Sequence, residues 1–174
     1  MTRASKFFRA MFVVAVLAQT SAAFSAPAAD PASRPASKKD LVGTWDMVSV
    51  RPAANASDPG LYPYQRFVFN SDASMKYMTS KDPFTAEWLD RFRKQPAEID
   101  YRVDEKGILS LMWQKQSHEE NALCAYVLKD VPPDLMAKIP QAKRAGLPKR
   151  GDIAVSFLNS KGKIAYQKVL TKIA

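Results

Sequence analysis

The segment Ser117-His118-Glu119-Glu120, followed by Cys124, is the local group of residues in this chain whose types suggest chemistry. An imidazole and carboxylates can bind a metal ion, and a thiol beside an imidazole can act as a nucleophile. Neighbouring residues of an extended chain point to opposite faces, however, and six residues of a strand separate Cys124 from His118 by about 20 Å. We therefore predict no metal site and no cofactor. A non-enzymatic protein is expected, and a Cys124-dependent enzyme is the minority hypothesis.

Aromatic residues recur within the segments that read as strands and suit the wall of a binding cavity. Those with a polar ring atom can also orient a ligand, so we predict ligand contacts at Tyr77, Tyr101, Trp113 and Tyr126. The same rings can instead fill the interior and leave no cavity. The sequence leaves both alternatives open.

Basic residues exceed acidic ones by 26 to 17, which gives a net charge of +9. Many lie in a proline-rich segment, residues 130–150, where aromatic side chains do not alternate with them as in a groove for single-stranded nucleic acid. A solvated basic surface is the simplest interpretation, and contact with an anionic envelope surface or an acidic protein is the alternative. We expect no nucleic-acid partner. The basic residues of the segment are Lys138, Lys143, Arg144, Lys149 and Arg150.

Residues 1–25 have the three parts of a secretory signal peptide. Three basic residues precede an apolar run from Met11 to Ala18, and small residues follow it. The run is shorter than the ~20 residues that a membrane-spanning helix needs. Cleavage is expected after Ala23 or Ser25, and no cysteine follows the run for lipid attachment. We therefore expect a periplasmic or secreted protein that is not a lipoprotein.

Residues 26–39, APAADPASRPASKK, are rich in alanine, proline and serine and offer almost nothing to bury. This composition favours extended polyproline conformations, so we predict a disordered linker. The folded domain is expected to occupy residues 40–174. A domain of about this length can bury a sufficient core without disulfides.

Eight short segments of the domain show the hydrophobic alternation that is typical of β-strands. Turn residues separate them, as in Asp104-Glu105-Lys106-Gly107. Strands and helices do not alternate regularly, which argues against a parallel sheet. The predicted strands are Leu41–Arg51, Tyr64–Phe69, Ser74–Thr79, Glu98–Val103, Ile108–Gln114, Asn121–Lys129, Asp152–Leu158 and Lys163–Ile173.

One segment between the third and fourth strands has helical spacing instead. Asp82-Pro83 resembles an N-cap followed by proline at the first helical position, and apolar residues recur as far as Phe92. We predict an amphipathic helix over residues 83–95, which either packs on the wall of the sheet or covers an opening as a lid. The predicted fold is all-β: an eight-stranded antiparallel up-and-down barrel with one helix between strands 3 and 4.

The first strand opens with Leu41-Val42-Gly43-Thr44-Trp45. A Gly-x-Trp motif at this place, in a domain of this size, resembles the lipocalin-like (calycin) families, and most of all the small bacterial lipocalin-like domains. The resemblance implies that Trp45 closes one end of the barrel and stacks with a lysine of the last strand, Lys168 or Lys172. Lys168 is our choice. The helix departs from the family pattern, since in lipocalins it follows the barrel strands.

Together these patterns favour an exported lipocalin-like protein that binds a small hydrophobic or amphipathic ligand in the barrel. The alternative is a filled barrel that acts as an envelope protein-interaction or inhibitor module through its basic surface. A filled interior would separate the two hypotheses.

Overall fold

The computed structural model describes residues 32–52 and 62–173. The predicted signal peptide, residues 1–25, and the first part of the predicted linker, residues 26–31, lie outside the described residues. Within those two ranges, no helix is long and apolar enough to cross a membrane.

Eight antiparallel strands close into a barrel, which confirms the predicted fold class. Each barrel strand pairs with the next one along the chain, and the last pairs with the first. A closed barrel leaves no long sheet edge exposed. A ninth strand, at the start of the described chain, lies outside the barrel. The strands are β1 (Ser33–Pro35), β2 (Gly43–Pro52), β3 (Tyr64–Phe69), β4 (Ser74–Ser80), β5 (Ile99–Val103), β6 (Ile108–Trp113), β7 (Glu119–Val127), β8 (Ile153–Leu158) and β9 (Ile164–Ile173).

Every second residue of a barrel strand points into the interior, where the hydrophobic core lies. Cross-strand register brings interior side chains side by side, as where Trp45 pairs with Phe67 on β3. The buried cluster is almost entirely apolar, which explains why alternation in the sequence predicts the strands. Its barrel members are Trp45, Phe67, Phe69, Met75, Ile99, Tyr101, Leu109, Leu111, Ala122, Cys124, Ile153, Val155, Phe157 and Leu170.

Residues 32–41 are folded, so the prediction of a disordered linker is wrong for residues 32–39. β1 pairs with the end of β7, and helix α1 (Lys38–Leu41) follows it. The Arg34 guanidinium makes two hydrogen bonds of 2.7 Å to the Asp40 carboxylate, which also accepts from the Ser37 backbone. This ion pair holds the pKa of Asp40 well below its usual range. Leu41 is then fully buried against the core.

Helix α2 (Ala86–Lys94) lies between β4 and β5, the third and fourth barrel strands. Its N-cap is Thr85, whose hydroxyl accepts a hydrogen bond of 3.3 Å from the Trp88 amide. The predicted cap at Asp82-Pro83 is therefore wrong: Thr85 has the extended backbone and the side-chain oxygen that an N-cap needs. Of the nine residues of α2, Phe92 is the one that is buried.

The proline-rich segment between β7 and β8 contains helix α3 (Pro133–Lys138) and helix α4 (Gln141–Arg144). The Gly146 carbonyl attaches it to the outer face of β2 by accepting hydrogen bonds from Ser49 at 2.7 Å and Arg51 at 2.9 Å. The side chain of Lys143 is outside the described part. The other basic residues of the segment, Lys138, Arg144, Lys149 and Arg150, are exposed.

Candidate functional site

The barrel wall is incomplete between β4 and β5. These strands pair at two positions, Ser74 with Asp100 and Met75 with Ile99, whereas β3 and β4 pair at six. Beyond Met75 the two strands therefore separate, and the chain between them carries α2. The Lys76 ammonium donates a hydrogen bond of 2.9 Å to the Arg93 carbonyl, which fixes the end of α2 against β4.

A cleft of about 320 Å³ lies in this gap, between α2 and the strands. Its volume is at the lower end of the range of about 300–1,000 Å³ that is usual for small-molecule sites. Its lining combines apolar and aromatic side chains with ammonium, amide, carboxylate and hydroxyl groups. The cleft is lined by Met75, Lys76, Tyr77, Phe92, Gln95, Pro96, Glu98, Ile99 and Trp113.

Several polar groups at the cleft already have partners in the protein. The Tyr77 hydroxyl donates a hydrogen bond of 3.0 Å to the side-chain carbonyl of the buried Gln65, and burial raises the pKa of Tyr77. The Glu98 carboxylate forms an ion pair with Lys115 at the surface. These contacts fix the side chains before a ligand arrives, which lowers the entropy that binding would cost.

Two of the four predicted ligand contacts line this cleft, Tyr77 and Trp113. The other two, Tyr101 and Tyr126, do not line it. The Tyr101 hydroxyl donates a hydrogen bond of 2.8 Å to the Asn70 carbonyl. Tyr126 lies opposite Arg34 in the β1–β7 pairing, and the guanidinium sits 4.8 Å from its ring centre. Both rings support the fold there and are not part of the cleft.

The centre of the barrel is filled by side chains. A residual cavity of about 10 Å³ remains there, enough space for about one water molecule. An organic ligand therefore has no room at the centre of the barrel. The cavity is bounded by Phe67, Phe69, Leu109, Leu111, Val155, Phe157, Lys168 and Leu170.

The predicted stacking of Lys168 on Trp45 is wrong, because Lys172 is the lysine that pairs with Trp45 in the β2–β9 register. The Lys172 ammonium lies 5.4 Å from the Trp45 ring, whereas Lys168 pairs with Val50 further along β2. Trp45 itself is buried, and its indole N–H donates a hydrogen bond of 2.6 Å to the Leu41 carbonyl. Trp45 and α1 therefore meet at one end of the barrel.

Lys168 lies inside the barrel instead, with 4% of its surface exposed. Its ammonium is between 4.9 and 5.6 Å from four ring centres, those of Phe67, Tyr77, Phe157 and Tyr166. Desolvation lowers the pKa of Lys168 to about 8, and the negative charge of Glu120 opposes part of this effect. The alternation of Tyr166, Lys168 and Leu170 along the last strand is the sequence signal that predicts an inward lysine.

The segment around His118 obeys the alternation expected of a strand. Glu120 lies 3.3 Å from His118, whereas Glu119 points away and lies 3.8 Å from Arg102. β7 runs without interruption through Cys124, so this thiol cannot approach His118. Burial raises the pKa of Cys124 to about 12. Over residues 32–52 and 62–173, no three His, Cys, Asp or Glu side chains converge as metal ligands would.

Comparison of the chain with protein-family models, with curated proteins and with solved structures found no match. The geometry of the cleft and of the barrel interior is therefore what supports a proposal about function.

Proposed function

We propose that this protein is a lipocalin-like binding protein that works outside the cytoplasm and holds a small hydrophobic or amphipathic molecule. The ligand occupies the cleft between α2 and the barrel and not the filled centre. The observation that carries the proposal is the separation of β4 from β5 after two paired positions, which leaves a cleft of about 320 Å³. Export rests on the leader-like residues 1–25, and the family on the opening Gly43-Thr44-Trp45.

The side chains of the cleft suit a molecule with one apolar part and one polar part. Phe92 approaches from α2, and Trp113 approaches from the end of β6, so an apolar group would bind between two aromatic rings. Gln95 and Glu98 lie where the cleft meets solvent and can bind a hydroxyl, amide or amine of the ligand. In this arrangement α2 acts as the cover of the site.

Titration with 1-anilinonaphthalene-8-sulfonate, an aromatic amphiphile with environment-sensitive fluorescence, tests the proposal. We expect saturable binding at one site, and about a tenfold loss of affinity in Trp113→Ala, which corresponds to about 1.4 kcal/mol. Trp88→Ala is the matched control, since Trp88 is 48% exposed on α2 and does not line the cleft. Equal affinity in Trp113→Ala and the wild type would exclude the cleft as the site.

A second candidate function follows from the filled centre of the barrel and the exposed basic segment between β7 and β8. Its four described basic side chains face solvent, and the exposed Leu135 of α3 precedes them by three residues or more in the sequence. Such a surface suits an acidic protein or an anionic envelope polymer. The affinity of the protein for such a partner should fall steeply with salt and should be lost when Arg144 and Lys149 are changed to Ser. Both results would favour this function over ligand binding in the cleft.

A further inference from the structure

The edge of β4 that faces the cleft carries backbone groups without a partner strand. At the turn between β3 and β4, the Asn70 amide donates a hydrogen bond of 2.9 Å to the Ser74 carbonyl. Bonded and non-bonded pairs alternate in an antiparallel ladder, so every second residue of β4 counted from Ser74 bonds to β3. Tyr77 and Thr79 lie between these positions. Their N–H and C=O groups therefore point away from β3, into the gap between β4 and β5.

The short pairing of β4 with β5 shows the same alternation from the other side. The Tyr101 amide donates a hydrogen bond of 2.8 Å to the Ala73 carbonyl. Two residues further along, Met75 pairs with Ile99. The next position that faces β5 is Tyr77, but the pairing has already ended there. Within the described chain, two N–H and two C=O groups of this edge therefore have no backbone partner.

We propose that the cleft binds an extended acidic peptide segment, which adds to β4 as a further strand. The inference rests on the proposed function, since the ligand occupies the same cleft, and it names the class of ligand. Tyr77 and Thr79 are two residues apart, a distance of about 6.8 Å along a strand. An extended peptide repeats its own N–H and C=O groups at this spacing on one edge, so it can pair with all four free groups at once.

The side chains of the cleft restrict the peptide at one position. A residue opposite Tyr77 directs its side chain to the same face of the sheet as the Tyr77 ring. Trp113 pairs with the buried Ile99 on the other side of the gap, and both line the cleft. An apolar side chain at this position, such as phenylalanine, can therefore enter between Tyr77 and Trp113. The peptide backbone is then the polar part of the ligand.

The charges around the gap favour an acidic peptide. The two carboxylates of α2 form ion pairs within the helix, which leaves Arg93 as its unpaired cation among the described residues. The Lys76 ammonium at the cleft binds a carbonyl and no carboxylate. Glu98, the carboxylate of the lining, is already paired with Lys115. A second copy of this chain would bring its own cations against these, whereas a peptide with flanking acidic residues complements them.

Titration with a synthetic peptide tests the inference on the intact protein. The probe is an acetylated and amidated hexapeptide, Glu-Val-Thr-Phe-Val-Glu, whose β-branched residues favour an extended chain. We expect it to bind at one site and to displace the anilinonaphthalene. N-methylation of the phenylalanine removes the N–H that faces β4 and should weaken binding at least about tenfold. N-methylation of the preceding threonine, whose N–H faces the other way, should change the affinity less than about twofold. Equal effects of the two methyl groups would overturn the inference.

Amide hydrogen exchange, measured by NMR, locates the peptide on the chain. In the free protein, the Tyr77 and Thr79 amides should exchange at least about tenfold faster than the Met78 amide, which bonds to β3. Saturation with the peptide should slow both of them at least about tenfold. Exchange that the peptide leaves unchanged would overturn the inference. So would protection that increases with protein concentration alone, because a second copy of the chain would then occupy the edge.

Two variants of one residue test the free edge from the side of the protein. Thr79→Pro removes an N–H that faces the gap, a place where a strand tolerates proline. Its affinity for the hexapeptide should fall about tenfold. Thr79→Val is the matched control, because it keeps the amide, and it should bind the peptide as the wild type does. Equal binding by the two variants would overturn the inference.

The two ligands separate this inference from the proposed function. Binding of the anilinonaphthalene that depends on Trp113, without binding of the hexapeptide, would overturn the inference and leave the small-molecule site intact. Binding of the hexapeptide that is sensitive to the methyl group on phenylalanine, without binding of the anilinonaphthalene, would support the inference and overturn the small-molecule function.

Discussion

The buried lysine makes the stability of this barrel depend on pH in an unusual direction. The pKa of Lys168 falls from 10.5 to about 8 on folding, chiefly because the side chain loses water. Below pH 8 the folded and unfolded states both hold the proton, and the cost of burying the charge is present in full. Between pH 8 and 10.5 the folded state releases the proton first. The unfolded state then binds more protons, so the free energy of unfolding increases with pH.

The size of the effect follows from the two pKa values. The complete shift corresponds to about 3 kcal/mol, of which about 2 kcal/mol should develop between pH 7 and pH 9.5. Higher pH is less informative, because the pKa of Tyr77 and of Tyr166 is raised on folding. Stability from those tyrosines is present below pH 10 and is lost above it, as the unfolded state ionises first.

Urea denaturation at a series of pH values measures the change, with Lys168→Met as the comparison. Methionine keeps a long unbranched side chain inside the barrel and has no proton to lose. We expect the unfolding free energy of the wild type to rise by about 2 kcal/mol more than that of Lys168→Met over this range. The other titrating groups are the same in both proteins, so they cancel in the difference. Parallel curves for the two proteins would refute the assignment of Lys168 as a desolvated amine.

Three further predictions concern other parts of the barrel. Cys124 is buried and its pKa is raised to about 12, so Ellman's reagent should react with it only as fast as the protein unfolds; rapid reaction of the native protein would contradict this. Gly43→Ala should destabilise the protein by about 2 kcal/mol in urea, because Gly43 has φ +135° and a β-carbon would lie 2.6 Å from Lys172; an unchanged midpoint would contradict it. Asp152→Ala should cost about 2–3 kcal/mol and Thr171→Val about 1 kcal/mol, with the double variant little worse than Asp152→Ala; additive losses would show that the two side chains act separately.

Most of the barrel strands are predictable from the sequence because apolar and polar residues alternate over six or more positions within each of them. β3, Tyr64–Phe69, coincides with its predicted segment, and β9 differs from its segment by one residue at the start. The N-terminal segment is different. β1 has three residues and α1 has four, which is too short for any period to show. The ion pair that holds them together joins Arg34, in the segment whose composition indicates disorder, to Asp40, the first residue of the predicted domain.

The candidate site is less predictable, since it depends on how strands meet. Tyr77 lies opposite the buried Phe67 and Trp113 lies opposite the buried Ile99, and both line the cleft. Tyr101 has the same inward phase, but its hydroxyl is bound to the Asn70 carbonyl and its ring is not part of the cleft, which the sequence pattern does not reveal. The separation of β4 from β5 leaves no local pattern either. Lys168 is misassigned to Trp45 because Lys168 and Lys172 share one face of β9, and alternation alone does not give the register that places Lys172 opposite Trp45.

The ninth strand has a consequence for how this protein behaves in concentrated solution. On one edge of β7, β6 pairs as far as Leu123, and β1 covers Ala125 to Val127 beyond it. Without β1 that part of the edge would present free N–H and C=O groups to a second molecule. A chain shortened to begin at residue 40 would retain all eight barrel strands, the cleft and Lys168. It would lose the cover of this edge together with Ala36 of the core, so we expect it to self-associate through the exposed edge of β7 more readily than the longer chain.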